Sequence, residues 1–306
     1  MSLGEKEITR WFAGQRRLEA GKFPIGIGDD MAQINLGGGK SVLITTDMLL
    51  DGVHFDLQTA TIAQVGYKAM AASLSDCAAM ATVPVAAVVS VALPKDFAAD
   101  GLKELHKGII RAGDMFGCEL IGGDITSWDK SFAVSVTMLS EPGGAGPIRR
   151  DGARAGDFLC ITGKLGGSLM RKHLEFLPRV NEAFVIAKAG ATAMMDISDG
   201  LSSDLNDMCK AGGVGSVVDA EKIPLSDEAK GAADPLGSAL NDGEDFELLF
   251  TIGQKEFEKL SANWDMQTPI TKIGVVTEKR RVCIKMPGGG IEDLLPRGYD
   301  HLGAER

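Results

Sequence analysis

Apolar residues recur along the chain at two spacings, one typical of helices and one typical of strands. An amphipathic segment over Glu5–Leu18 opens the chain, and two short apolar segments joined by the glycines at 37–39 predict a β-hairpin over 31–47. The elements expected next are a helix over Thr61–Met80, a strand over Val85–Leu93, a helix over Phe97–Phe116, and strands over Glu119–Ile121 and Phe132–Leu139 on either side of a turn.

The Pro- and Gly-rich stretch "EPGGAGP" at 141–147 predicts a boundary between a domain over 1–140 and a domain over 148–306. In the second domain the pattern predicts a strand in 156–163, helices over Leu165–Leu177 and Asn181–Gly190, a helix in 198–213 capped by Ser198 or Asp199, a strand in 245–252, a helix over Gln254–Ala262, and strands over Thr271–Val276 and Val282–Met286. Both halves mix strands with helices, so the expected class is α/β or α+β in two domains.

The composition and charge of the chain argue against nucleic acid or a membrane as its partner. A chain of 306 residues with 44% hydrophobic and 24% charged residues suits a globular protein with a sizeable core. A net charge of −10 and the lack of a long basic run argue against nucleic acid as a partner. The most apolar stretch, 81–94, is short and interrupted by proline, which indicates a buried strand rather than a membrane span.

The five cysteines are scattered and form no C-x-x-C pair, which argues against a zinc site or a disulfide framework. The first residues contain no apolar core of a signal peptide. We therefore expect a cytoplasmic protein that binds neither nucleic acid nor membrane.

Neither of two glycine-rich stretches fits a standard nucleotide loop. "GIGDDM" has Met31 where a dinucleotide fingerprint needs its third glycine, and it leads into a hairpin instead of a helix. "INLGGGKS" has Ile34 where a Walker A loop needs its first glycine. Any phosphate chemistry must therefore depend on other residues.

Carboxylates recur where strands, helices and turns meet. Asp47 ends the apolar run "VLITT", and Asp76 lies in an Ala- and Met-rich segment where a lone charge is costly. Any one of them has an ordinary explanation as a turn or cap residue. As a set without a His or Cys cluster, they offer the oxygen ligands that Mg²⁺ or Mn²⁺ prefers, which predicts a Mg²⁺-dependent phosphate enzyme. The set comprises Asp29, Asp30, Asp47, Asp76, Asp124, Asp196, Asp199, Asp242, Glu244 and Asp245.

With these residues in view, the chain resembles the thiamine-monophosphate kinase family, within the superfamily that includes aminoimidazole ribonucleotide synthetase. Nine motifs carry the resemblance and occur in the family's order from residue 4 to residue 302: "GE", "GIGDD", "TTDMLLDGVHF", "SLSDCAAM", "IGGD", "RRDGARAGD", "MDISDGL", "GEDFELLFT" and "GYDHL". The resemblance implies the family's two-domain fold and an N-terminal domain that pairs with a second copy into a β-barrel-like dimer. It also implies direct, Mg²⁺-assisted transfer of the γ-phosphoryl group of ATP to thiamine monophosphate.

The matching motifs assign roles residue by residue. Several Mg²⁺ ions would be held by Asp30, Thr45, Thr46, Asp47, Asp76, Asp124, Asp196 and Asp199. ATP would meet His106, Gly123, Asp124, Arg150 and Ser198, and thiamine monophosphate would meet His54, Glu244, Asp245 and Tyr299. Three roles keep an ordinary alternative, since Arg150 also suits a surface ion pair, His54 also suits a packed or surface residue at a strand end, and Tyr299 also suits packing of the tail.

Three features depart from the family pattern. His106 stands where an aromatic residue is common, Gly167 replaces an acidic residue, and the segment 163–196 is short. Two alternative functions therefore stay open, a related ATP-using enzyme with another substrate and a non-catalytic nucleotide-binding paralogue. The intact set of aspartates favours an enzyme.

Overall fold

The structure, a computed structural model, describes residues 4–15, 17–170 and 172–302. The ends of the two predicted domains, 1–3 and 303–306, lie outside these residues, and so do position 16 of the predicted amphipathic segment and position 171 of a predicted helix. In this part of the chain, no helix is both long and apolar enough to cross a bilayer.

The N-terminal half forms a five-stranded sheet with the order β1-β2-β5-β3-β4, in which only β3 and β4 are parallel. Its elements are α1 (Glu5–Gln15), β1 (Ala32–Gly37), β2 (Lys40–Leu50), α2 (Ile62–Ala79), β3 (Thr82–Pro94), α3 (Ala99–Asp114), β4 (Glu119–Trp128) and β5 (Ala133–Pro142). The hairpin predicted around the glycines at 37–39 is present as β1 and β2.

Helix α2 lies at the centre of the molecule and is buried along nearly its whole length. It begins with a capping box, in which Thr61 and Gln64 satisfy each other's backbone N–H groups. Glycines let α3 approach closely, since a Cβ at Gly108 would lie 1.9 Å from the carbonyl oxygen of Ala63. Because α2 is held firmly in place, its polar side chains contact both halves of the molecule at fixed positions.

The C-terminal half forms a seven-stranded sheet with the order β12-β11-β8-β10-β6-β9-β7. Its elements are β6 (Phe158–Thr162), α4 (Val180–Lys188), β7 (Ala191–Asp196), α5 (Leu201–Gly212), β8 (Gly215–Asp219), α6 (Asp227–Lys230), α7 (Pro235–Asn241), β9 (Leu248–Ile252), α8 (Gln254–Ala262), β10 (Ile270–Thr277), β11 (Val282–Lys285) and β12 (Ile291–Asp293), with short 3₁₀ turns at Arg150–Gly152, Ser168–Met170, Lys172–Leu174 and Ala220–Lys222. The segment 141–147 connects the two sheets, and the predicted domain boundary there stays a prediction.

Two expected elements are wrong because glycine has two structural uses. The turn expected after residue 121 is part of β4, where a Cβ at Gly123 would lie 1.9 Å from the carbonyl oxygen of Val89 on β3. The glycine there permits close strand pairing rather than a turn. The helix expected over Leu165–Leu177 is instead two 3₁₀ turns, because Gly166 and Gly167 adopt φ values of +84° and +72°, which a right-handed helix excludes.

The expected cap of α5 is also wrong. The helix begins after Gly200, and neither Ser198 nor Asp199 caps it. Asp204 in the first turn accepts hydrogen bonds from the backbone N–H groups of Asp199 and Gly200, at 3.2 and 3.0 Å. Residues 198 and 199 are thereby left in the segment that joins β7 to the helix, where they line a cavity.

Candidate active site

Three carboxylates meet where the two halves of the molecule join. Asp30 follows the first glycine turn, Asp76 lies on α2, and Asp196 is the last residue of β7. Each offers an oxygen, and these oxygens all lie within 4.8 Å of one another. Residues far apart in the sequence and from both sheets thus form one acidic cluster.

Hydroxyl groups hold two of these carboxylates in place. Thr45 on β2 donates to Asp76 at 2.5 Å, and Ser75 on α2 donates to Asp196 at 2.6 Å. Asp76 and Ser75 are neighbours on the same buried helix, so α2 sets the separation of the cluster's members. The third carboxylate has a spare atom, because Oδ2 of Asp30 is buried and has no hydrogen-bond partner among the described residues.

Burial and mutual repulsion make the charged cluster costly. Burial, with Asp47 and Asp196 adding to it, raises the pKa of Asp76 well above its usual range. Burial and the nearby Asp30 raise the pKa of Asp196 to about 7. At neutral pH the full charge of the cluster is therefore stable only beside cations. The three hard oxygen donors and the spare Asp30 atom fit a divalent ion such as Mg²⁺.

Arg150 supplies part of that positive charge. Its Nη2 lies 2.6 Å from Asp30 Oδ1, and its backbone N–H donates to Asp29 at 3.3 Å. Burial and the neighbouring Asp30 raise the pKa of Asp29 to about 7. Arg150 does not form the surface ion pair that was its alternative role, because its side chain is only 19% exposed.

A cavity of about 340 Å³ lies beside the cluster and brings together residues predicted for metal, ATP and substrate. Its floor includes Asp47 on β2, which accepts a hydrogen bond from Ser73 of α2 at 2.5 Å. The preceding strand residue, Thr46, shares a hydrogen bond with the hydroxyl of Thr137 on β5 at 3.0 Å. The other predicted site residues on its wall are His54, Ser198, Asp199, Glu244 and Tyr299.

A buried lysine connects two walls of this cavity. Lys68 of α2 is fully buried, and its ammonium lies 2.6 Å from Glu244 Oε2 and donates to the backbone carbonyl of His54. The ring of His54 accepts a hydrogen bond from the backbone N–H of Leu50 at 3.0 Å. Burial, His301 and Lys68 lower the pKa of His54 to about 4, so its ring is neutral at physiological pH.

Glu244 reaches Lys68 because its loop adopts an uncommon backbone conformation. Gly243, Glu244 and Phe246 have φ values of +74°, +53° and +50°. Hydrogen bonds from the backbone N–H of Glu244 to Ser198, at 2.7 Å, and of Phe246 to Ile197, at 2.9 Å, hold the loop against the segment that follows β7. Such strain at a cavity wall is typical of functional loops.

The structure does not bring Asp245 to the cavity. This residue is 1% exposed, and it accepts hydrogen bonds from the backbone N–H of Gly166 and from Ser168, at 3.0 and 2.5 Å. The neighbouring Gly167, which departs from the family pattern, has no room for a side chain, since its Cβ would lie 2.6 Å from Glu228 Cβ. Of the two acidic residues predicted to meet substrate, only Glu244 lines the cavity.

His106, Gly123 and Asp124 lie apart from the acidic cluster. They line a second cavity of about 470 Å³ between α3 and β4. Three strand spacings separate β4 from β2, because β5 and β3 lie between them. At about 4.8 Å per spacing, Asp124 is roughly 14 Å from the strand that carries Asp47. Within one chain, the metal ligand predicted at Asp124 does not join the others.

Sequence reasoning missed Lys68 and His301. Lys68 had a usable signal, a lone charge within the apolar stretch of α2, which is the same signal that marked Asp76. His301 belongs to the motif "GYDHL", and its ring lies 5.1 Å from that of His54 and 4.7 Å from that of Tyr299. Three rings thus form one side of the cavity.

The fold and the acidic site define a class of protein. The chain matches the family models of the AIR synthase related protein N-terminal domain over residues 28–141 and C-terminal domain over residues 133–286. It is 34% identical to the thiamine-monophosphate kinase of Rhodopirellula baltica, over 97% of each chain, and 33% identical to that of Aquifex aeolicus, over 90% of this chain and 92% of the relative.

A solved structure described as AaThiL complexed with AMPPCP and TMP superposes with a TM-score of 0.85 at 31% identity, covering 98% of this chain and 99% of that one. The chain therefore belongs to the thiamine-monophosphate kinase family. Membership confirms the resemblance, the mixed α/β fold class and the assignment as an enzyme.

The raised pKa of Asp196 predicts how pH affects the stability of the metal-free protein. The folded protein holds this proton more tightly than the unfolded chain, where the pKa has its ordinary value of 3.8. The stabilising contribution is complete below about pH 4 and is lost as pH rises toward about 7. Urea unfolding in EDTA at about pH 5 and about pH 8 measures this loss, and Asp196→Asn should reduce it by about 1–3 kcal/mol.

The matched control is Asp265→Asn, which alters an exposed carboxylate in the loop that follows α8. This variant should keep the wild-type dependence on pH. Equal losses in the wild type and in Asp196→Asn would contradict the burial cost assigned to the cluster.

Proposed function

We propose that this chain transfers the γ-phosphoryl group of ATP directly to the phosphate of thiamine monophosphate, forming thiamine diphosphate. The observation that carries the proposal is the cluster of Asp30, Asp76 and Asp196 beside a cavity walled by predicted substrate residues. The relatives named as thiamine-monophosphate kinases, and the similar structure complexed with AMPPCP and TMP, support this choice of substrates.

In this proposal several Mg²⁺ ions are bound by carboxylates and hydroxyls of both halves. The residues that would hold them are Asp30, Thr45, Thr46, Asp47, Asp76 and Asp196, with Asp124 and Asp199 considered below. When bound, the ions supply positive charge that offsets the repulsion between two phosphorylated substrates and the charge that develops on the transferring group.

The chain's own residues position the reactants and need not remove a proton. The acceptor is a phosphate oxygen, which is already deprotonated at neutral pH, so no side chain acts as a general base. Arg150 and Ser198 are the residues that we assign to ATP, and Arg150 is held ready by its ion pair with Asp30. Catalysis then consists of in-line positioning and charge neutralisation.

The wall of rings and acids is suited to the cationic thiazolium of the substrate. His54 is neutral there, since its pKa is lowered to about 4, chiefly by burial. Lys68, the lysine that lines this cavity, is paired with Glu244. Tyr299 presents an aromatic ring that is 44% exposed, which permits a cation–π contact.

The proposed roles of Asp124, Gly123 and His106 require a second copy of the chain. Asp124 pairs in register with Ser90, Ser90 with Ser135, and Ser135 with Met48, so all four lie in one row on the face of the sheet away from α2. This face and the outermost strand β4 carry exposed apolar side chains, among them Val83, Val85, Val88, Ile121, Ile125 and Leu139. Pairing two copies through this face and along the β4 edge would cover them and bring Asp124 of one copy toward the other's site.

We place the reaction in the cytoplasm. All five cysteines are free thiols buried in the protein. Burial raises the pKa of Cys118 to about 12, so this thiol stays protonated and unreactive. Free thiols of this kind suit a reducing compartment.

Replacement of Asp47 by asparagine tests the proposed function. The variant keeps the shape of the side chain and a partner for Ser73 but loses the charge that a metal ion needs. We expect a fall of at least about 100-fold in kcat/KM for thiamine diphosphate formation, or about 2.7 kcal/mol. Chromatographic assay of thiamine diphosphate with ATP and Mg²⁺ measures this, and the melting temperature should not fall.

Asp265→Asn is again the control and should retain wild-type turnover. Near-normal turnover in Asp47→Asn would refute the role of Asp47. Wild-type protein that hydrolyses ATP without forming thiamine diphosphate would favour a related enzyme with another substrate. Binding of ATP with no turnover at all would favour a non-catalytic paralogue.

The proposed pairing predicts a dimer that depends on β4. Sedimentation should give the mass of two chains, and Ile125→Glu should raise the dissociation constant at least about 100-fold, because it places a charge in an apolar contact. Ile291→Glu on β12 is the matched control, since Ile125 and Ile291 are 65% and 62% exposed. A monomeric wild type, or equal effects of the two variants, would contradict the pairing.

A further inference from the structure

A lysine from the first helix lies among acidic residues at the edge of the proposed metal site. The Nζ atom of Lys6 lies 2.5 Å from Asp207 and 3.2 Å from Asp199, and this atom is inaccessible to solvent. Helix α1, which carries Lys6, has no buried residue of its own. The contact therefore does not follow from apolar packing of α1.

Three acidic residues surround Lys6, and Asp199 is the one whose carboxylate the lysine would share with a metal ion. Asp204 is 2% exposed and already accepts two backbone N–H groups, as described above. Asp207 is the nearer partner of Lys6, and Asp199 is the farther one. Burial alone would lower the pKa of Lys6, but Asp199 and Asp207 raise it above its usual value, so the side chain is a full cation.

We propose that Lys6 is a positioning residue that supplies a built-in cation at Asp199, in the place of one of the divalent ions that the proposed function puts at this site. The inference rests on that proposed function. An ammonium group and a metal ion compete for the same carboxylate, because both need its negative charge. Asp199 is then neutralised by the protein, while Asp30, Asp76 and Asp196 keep their demand for ions.

The same contact orders the corner of the substrate cavity. The backbone carbonyl of Asp199 accepts a hydrogen bond from the backbone N–H of Tyr299 at 3.0 Å. Helix α1 also contacts the segment around Tyr299, since Glu5 Oε2 accepts from the backbone N–H of His301 at 3.3 Å. Lys6 thus holds the side chain of Asp199, and the backbone of Asp199 holds Tyr299, a predicted substrate residue.

Counting bound Mn²⁺ by electron paramagnetic resonance, without nucleotide or thiamine monophosphate, tests the inference. Lys6→Met should bind one more ion than the wild type, or bind its weakest ion at least about tenfold more tightly, a change of about 1.4 kcal/mol. Asp207→Asn removes the ion pair between Lys6 and Asp207 but keeps the one between Lys6 and Asp199. This variant should therefore bind no additional ion. Lys6→Arg keeps the cation and should resemble the wild type.

Two further variants isolate the effect. Lys103→Met removes an exposed lysine that pairs with exposed Asp100 on α3, and it should leave ion binding unchanged. Asp199→Asn combined with Lys6→Met should abolish the gain. No gain in Lys6→Met, or the same change in Lys6→Met and Asp207→Asn, would overturn the inference.

The outcome is separate from that of the proposed function. Ion counting requires no turnover, so a gain in Lys6→Met supports the role of Lys6 even if the wild type forms no thiamine diphosphate. That second result would refute the substrate assignment alone. Melting temperatures of all variants verify folding, and α1 has no buried residue whose loss would unfold the core.

Discussion

The negative charge buried between the two sheets governs the rest of the structure. Asp30, Asp76 and Asp196 come from a loop, a helix and a strand, and they meet because α2 packs against both halves. Burying three carboxylates within 4.8 Å of one another opposes folding in their charged form. This destabilising cluster lies where, in the proposed reaction, two anionic substrates meet and need cations between them.

Three basic side chains each neutralise different carboxylates of the site. Arg150 pairs with Asp30, Lys68 pairs with Glu244, and Lys6 lies between Asp199 and Asp207. Each cation serves a different part of the site, and each is substantially withdrawn from solvent. In a chain with a net charge of −10, these withdrawn cations would offset part of the negative charge of the phosphorylated ligands in the proposed function.

The sequence predicted elements with a strong repeat and residues whose type is unusual for their surroundings. Helix α2 and the first hairpin follow directly from apolar spacing, and Asp76 stands out as an acid in an apolar helix. The glycines misled the prediction, because those in β4 permit close pairing whereas those at 166–167 stop a helix. Lys6 left no signal, since a lysine on an exposed amphipathic helix looks solvated until α5 is placed beside it.

We propose above all that the three converging carboxylates bind a divalent ion. Anomalous X-ray diffraction from crystals grown with Mn²⁺ and an ATP analogue tests this most directly. We expect one anomalous peak that lies within bonding distance of oxygens from all three residues, Asp30, Asp76 and Asp196. A map in which Mn²⁺ binds elsewhere, and these three side chains contact only one another and Arg150, would contradict it.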